Sequence, residues 1–113
     1  MVAKRKAAVK PRYVIRPKAD QDLDAHADYL TTEASLNVSH RFLVSAHDTF
    51  ALLATHPHMV WSFKSQSQPF QSMRVFPVYG FEKMLVLYQP LKGGVEIIRV
   101  LHGSRDVLAA LGE

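Results

Sequence analysis

Two apolar runs near the C-terminal end constrain this chain more than any other feature. They are Met84-Leu-Val-Leu-Tyr88 and Val95-Glu-Ile-Ile-Arg-Val-Leu101, joined through Pro90-Leu-Lys-Gly-Gly94. Short runs of strand-forming residues around a turn-forming link predict a β-hairpin. Side chains alternate between faces along a strand. Met84, Val86 and Tyr88 are therefore expected to point one way, with Leu85 and Leu87 pointing the other. By the same count Val95, Ile97 and Leu101 share one face, and Ile98 and Val100 the opposite one. A sheet that is apolar on both faces needs a cover on each. The rest of the chain offers one good cover, so the second is expected from a partner.

That first cover is legible upstream. Arg12–Arg16 alternates polar and apolar residues and reads as a short strand, ended by Pro17, which suits a helix entry. Ala19, Leu23, Ala27, Leu30 and Ala34 then recur at spacings of three or four, as one stripe of a helix does. Ser35 or Asn37 can cap a second helix, whose stripe is Val38, Phe42, Ala46, Phe50 and Leu53. That helix is expected to run to about Thr55 and to stop at His56-Pro57. The short joint between the stripes predicts a helical hairpin that packs on one face of a sheet. Residues 57–71 read as irregular. A strand is expected at about Ser72–Phe76, with a bend through Pro77–Gly80. After His102-Gly103 a short helix should begin, with Ser104 as its N-cap and Asp106 in its first turn. The order is β-α-α-β-β-β-α, an α+β pattern with a mostly antiparallel sheet.

At 113 residues the chain suits one domain, and 48% apolar with 21% charged residues is an ordinary globular balance. It has no cysteine, which excludes disulfides, thiolate nucleophiles and cysteine zinc sites. No apolar run reaches the roughly 20 residues that span a bilayer. The net charge of +4 is unevenly distributed. Residues 1–18 carry seven of the fourteen Lys and Arg residues and no acid, leaving the remainder at −3. Residues 1–11 are accordingly expected to be a basic flexible arm, and 12–113 a single domain. The high pI cannot by itself argue for nucleic-acid binding. Asp20, Asp22, Asp24, Asp28 and Glu33 make the first helix acidic, while Lys64, Arg74, Lys83, Lys92, Arg99 and Arg105 make the strand region basic.

Several blocks, taken in order, carry a resemblance to a known family. They are Ala19-Asp-Gln-Asp-Leu23 through Tyr29-Leu30, Arg41-Phe42, His56-Pro57, Arg74-Val-Phe-Pro-Val78, Gly80-Phe-Glu-Lys83, Leu85-Val-Leu-Tyr88 and Arg99-Val-Leu-His-Gly-Ser-Arg-Asp106. Over residues 13–111 the chain resembles the ParE branch of the RelE/ParE toxin superfamily. The resemblance implies a helical hairpin on a small, mainly antiparallel sheet. It also implies the toxin half of a type II toxin–antitoxin pair, in the cytoplasm, without a cofactor. The implied partners are a cognate antitoxin that carries the operator-DNA-binding part, and DNA gyrase as target. No membrane contact is implied. Val60-Trp61 departs from the family pattern, which often has a glycine there, and the basic arm before Arg12 is longer than the pattern requires.

The alternative within the superfamily is a RelE-type ribosome-dependent mRNA endoribonuclease. Metal-free RNA cleavage needs groups that deprotonate a 2′-hydroxyl, stabilise the phosphorane and protonate the leaving oxygen. The candidates are Arg74, Lys83, Arg99, His102 and Arg105, with Tyr88 as a donor. RelE-type nucleases usually carry a tyrosine near the C-terminus. Val107-Leu-Ala-Ala-Leu-Gly-Glu113 has no aromatic and no base, which argues for action by binding. In that case Arg74, Lys83, Tyr88, Arg99 and Arg105 are the expected antitoxin or target contacts. Structural readings stand beside these: Arg99 could pair with an acid across the sheet, His102 could cap the strand end through a ring hydrogen bond, and Arg74 could sit on a solvated strand face. His40, His47, His56 and His58 are read as surface residues, not metal ligands. Trp61, Phe63 and Phe70 are read as core-edge aromatics ahead of base-stacking ones. A third alternative is a DNA-binding module that uses the arm as electrostatic glue.

Overall fold

The computed structural model describes residues 12–58 and 73–103, together with Asp106. The expected arm, Trp61, Phe63, Phe70, Arg105 and most of the expected last helix lie outside these residues. Strand β1 is Arg12–Ile15, followed by helices α1, Pro17–Glu33, and α2, Leu36–Thr55. Three strands complete the order: β2, Arg74–Val78; β3, Phe81–Leu91; and β4, Gly94–His102. They form one mixed sheet in the order β1-β4-β3-β2. Only the β1–β4 pair is parallel. This is the α+β arrangement the sequence implied.

Helix ends follow the expected chemistry. Pro17 opens α1, with Asp20 in the first turn where the helix dipole favours it. Ser35 caps α2, its hydroxyl accepting the Val38 N–H at 3.1 Å. Asn37, the other cap candidate, lies inside α2. Ala34, expected on the α1 stripe, falls just past that helix's end and is exposed. Between the helices, Ser39 Oγ donates to the Ala27 carbonyl at 2.8 Å.

The main core lies between the helices and one face of the sheet. Ala19, Leu23, Phe42, Ala46, Phe50 and Leu53 meet Val78, Met84, Val86, Tyr88, Val95, Ile97 and Val100 there. A second cluster occupies the other face: Met73, Val75, Leu87, Ile98 and Leu101, with Leu85 packed against it.

Two expectations about the sheet are corrected. Val100 belongs to the helix side and Leu101 to the opposite side, the reverse of strict alternation. The reason is a β-bulge in β4. Leu87 pairs with Arg99 but Tyr88 pairs with Ile97, so Ile98 is an extra residue and the faces exchange beyond it. The second face is also not bare: none of its five core residues exceeds 8% exposure in the isolated chain. The expected wide uncovered flank is absent there.

Turn positions shift as well. The β3–β4 turn is only Lys92-Gly93, with Pro90 and Leu91 already paired to Val95 and Gly94. The β2–β3 turn is Tyr79-Gly80 rather than a bend from Pro77, since β2 continues to Val78. Gly80 and Gly93 have φ of 79° and 81°, values that suit glycine.

Candidate functional site

Strand β4 outlasts β1, and this leaves an edge that α1 must close. The Arg16 N–H still donates to the Ile97 carbonyl at 3.0 Å, but β1 goes no further. Beyond it the Asp22 carboxylate accepts the Val100 N–H at 3.0 Å. His26, one turn along α1, donates from Nε2 to the Val100 carbonyl at 2.8 Å. Asp22 also receives the Arg99 guanidinium twice, at 2.7 and 3.0 Å. The hydrogen bond to Asp22 raises the Arg99 pKa above its ordinary value. Arg99, an expected target contact, is thus held in an ion pair. Its acid comes from α1 and not from across the sheet, which corrects the structural reading of this residue.

A different arrangement stands at the opposite edge of the sheet. Arg74 opens β2 and pairs across to Tyr88, so the two side chains share the helix side of the sheet. Helix α2 ends at His56, and the chain then brings His58 to the same place. Arg74 Nη2 lies 3.5 Å from His58 Nδ1, at the outer limit of a hydrogen bond. Tyr88 is 0% exposed, which makes its ring a core group and not a surface contact. Both its hydroxyl and Arg74 Nε are buried without a hydrogen-bond partner among the described residues. Burial pushes the Tyr88 hydroxyl pKa up, and the Arg74 charge pulls it partway back. The phenol therefore stays protonated at neutral pH and remains a donor.

The remaining candidates do not join this cluster. Lys83 is exposed on β3, and its backbone carbonyl accepts the Gly103 N–H. His102 is half-buried at the end of β4, its backbone N–H donated to the Asp106 carboxylate at 2.9 Å. That bond makes Asp106 the cap of the strand end. By register Arg74 sides with Tyr88, whereas Arg99 stands opposite Leu87, on the other side of the sheet. The two arginines do not line one groove. Of the remaining histidines, His47 Nδ1 meets the Tyr13 hydroxyl at 2.9 Å, and His56 packs against the end of α2.

A groove of about 370 Å3 runs between α2 and the β2–β3 turn, lined by Asp48, Thr49, Leu52, Phe76, Pro77, Tyr79 and Glu82. Tyr79 is 80% exposed and Leu52 42%. Thr49 anchors the turn by accepting the Tyr79 N–H at 3.3 Å. Sequence reading missed this groove, His58 beside Arg74, and the Asp22–His26 clasp. The i, i+4 spacing of Asp22 and His26 was visible, but the bulged strand edge they serve was not.

Comparison with solved structures shows where this fold recurs. Ten solved chains match, among them one from the chromosomal ParDE TA system from P. aeruginosa. That match has a TM-score of 0.67 at 13% identity, covering 84% of this chain and 98% of the other. At that identity the likeness shows a shared fold. A search of curated proteins finds no match. The family described as ParE toxin of type II toxin-antitoxin system, parDE, matches residues 13–107. The chain belongs to this family.

Proposed function

We propose that this ParE-family toxin acts by binding, with DNA gyrase as its target, and that a cognate antitoxin neutralises it in the cytoplasm. The observation that carries this reading is the dispersal of the cationic side chains. Arg99 is committed to Asp22, Lys83 stands apart on β3, and Arg74 lies on the other side of the sheet from Arg99. General acid–base cleavage of RNA asks for several such groups around one phosphate. Inhibition by binding does not.

The burial of the second sheet face moves the expected antitoxin seat. The groove between α2 and β2, with Leu52 and Tyr79 exposed, is the surface that supports it. A partly disordered segment can lay apolar side chains there and gain enough area to offset its ordering. The antitoxin's own N-terminal part would hold operator DNA, so the toxin's link to DNA is indirect. Among the described residues no helix is long and apolar enough to cross a membrane.

The runner-up, a ribosome-dependent ribonuclease, draws on the Arg74, Tyr88 and His58 cluster. Two assays separate the readings: gyrase supercoiling with purified toxin, and mRNA cleavage in a translating extract. Loss of supercoiling without cleavage is expected. Cleavage that disappears with Arg74→Ala would replace the gyrase reading. Growth inhibition relieved by co-expressing the adjacent frame is the expected sign of the antitoxin. A harmless chain would count against the whole assignment.

A further inference from the structure

Helix α2 has a second face besides the one that enters the core. Phe42, Ala46, Phe50 and Leu53 turn inward. On the outer side Arg41, Val44, Asp48 and Leu52 recur at spacings of three or four, as neighbours on one face do, and all four are exposed. Tyr79, on the β2–β3 turn, runs along one flank of this stripe. It lines the groove together with Asp48 and Leu52, and a second hollow of about 390 Å3 together with Arg41 and Val44. Three of the seven large apolar side chains exposed among the described residues, Val44, Leu52 and Tyr79, are therefore gathered in one place. Neither Arg41 nor Asp48 has an ion-pair partner among the described residues. Two helical turns separate them, about 10 Å along the axis, and they do not pair with each other.

We propose that this face seats the same face of a second copy of the chain, the two α2 helices lying antiparallel about a two-fold axis at Val44–Ser45. The charges select that occupant. Arg41 and Asp48 are equally far from the axis on either side, so each Arg41 meets the other copy's Asp48, twice over, as a self-complementary interface requires. Parallel helices, or a register centred on either charged residue, would set like charges against each other. A purely acidic or purely basic segment would answer only one of the two charges. Val44 and Ser45 at the crossing are small and let the helix axes approach to about 8–10 Å. The axis stands perpendicular to the helix pair, so Tyr79 and its mate fall on the same flank. One helix face of about 30 Å makes a small contact, and the pair is expected to be weak and concentration-dependent. This inference goes beyond the antitoxin reading and does not rest on it. Leu52 and Tyr79 belong to both surfaces, so a segment docked in the groove would displace the second copy.

The test is sedimentation equilibrium of the full chain, purified free of other proteins, from about 10 μM to about 1 mM. The mean mass of the parent should rise from one chain toward two and no further. Arg41→Glu and Asp48→Arg each set two like-charged pairs across the axis, and each should weaken self-association by about tenfold or more. The double variant carrying both changes restores opposite charges at both places and should return to within about threefold of the parent. That recovery separates pairing across the axis from loss of a side chain or of folding. A parent that stays a single chain throughout, growth beyond two chains, or a double variant no better than the single ones overturns the proposal. Equal self-association of all four chains would put the contact elsewhere and overturn it too. None of these masses depends on antitoxin, gyrase inhibition or growth arrest, so failure of the pairing is distinct from failure of the toxin assignment.

Discussion

Asp22 on α1 holds Arg99 on β4 through two bonds, Nε to Oδ2 at 2.7 Å and Nη2 to Oδ1 at 3.0 Å. The same Oδ2 accepts the Val100 N–H, so one carboxylate balances a charge and closes a strand edge. Both side chains are mostly withdrawn from water, at 28% and 14% exposure for Arg99 and Asp22. Replacing Asp22 with Ala leaves a half-buried cation and an unpaired backbone donor. The expected cost is about 2–3 kcal/mol, below that of a fully buried pair because water still reaches Arg99. Urea unfolding of Asp22→Ala and Asp22→Asn checks this. Asn should recover part of the loss by still accepting the Val100 N–H.

His26 supplies the other half of the clasp. Its Nε2–H bond to the Val100 carbonyl is half-buried, and its ring stands edge-on to Phe42 at 6.1 Å between centroids. His26→Ala should lower stability by about 1–2 kcal/mol. With Asp22→Ala the effects should not add, since both residues serve one peptide unit of a bulged strand. A double-mutant cycle in urea reads the coupling directly.

Gly94 is required for the parallel pair. A Cβ there would run into the Arg12 backbone carbonyl, which leaves no side chain to move aside. Gly94→Ala should separate β1 from β4 and cost about 3 kcal/mol or more. Gly80, where an added Cβ meets nothing within 4 Å, is the control. Gly80→Ala should cost only the left-handed backbone strain, about 1 kcal/mol. Thermal unfolding of the two variants gives the comparison.

Glu96 links acidity to stability. It accepts from Arg16 at 2.7 Å and from Gln89 at 2.9 Å, and these bonds hold its carboxyl below the ordinary 4.5. A depressed carboxylate stabilises the fold above its unfolded pKa and loses that contribution as pH falls through the folded value. Near neutrality Glu96→Gln should therefore be less stable than the parent chain. The gap should narrow below about pH 4.5 and close in stronger acid. Denaturation midpoints between pH 7 and pH 3 test the sign; a constant gap would contradict it.

Local pattern revealed much of the architecture. The 3.6-residue recurrence of Phe42, Ala46, Phe50 and Leu53 needs no tertiary context, because it states which face of a helix can be buried. Ser35 and His56-Pro57 mark helix ends by chemistry that acts within four residues. The strand apolarity likewise announced two buried faces. Arg74 and Tyr88 were legible as candidates, yet their pairing across β2 and β3 was not.

What the chain determined by itself was therefore each element and its greasy side. Those follow from side-chain type and spacing over a few residues. Three things were decided only in three dimensions: the Ile98 bulge that exchanged Val100 with Leu101, the α1 clasp on the β4 edge, and the pairing of Arg74 with Tyr88. Each depends on how one element is set against another: the register of β4 on β3, the seating of α1 on β4, and the register of β2 on β3. A shift of one residue in that register changes which side chains share a face, and composition alone carries no record of it.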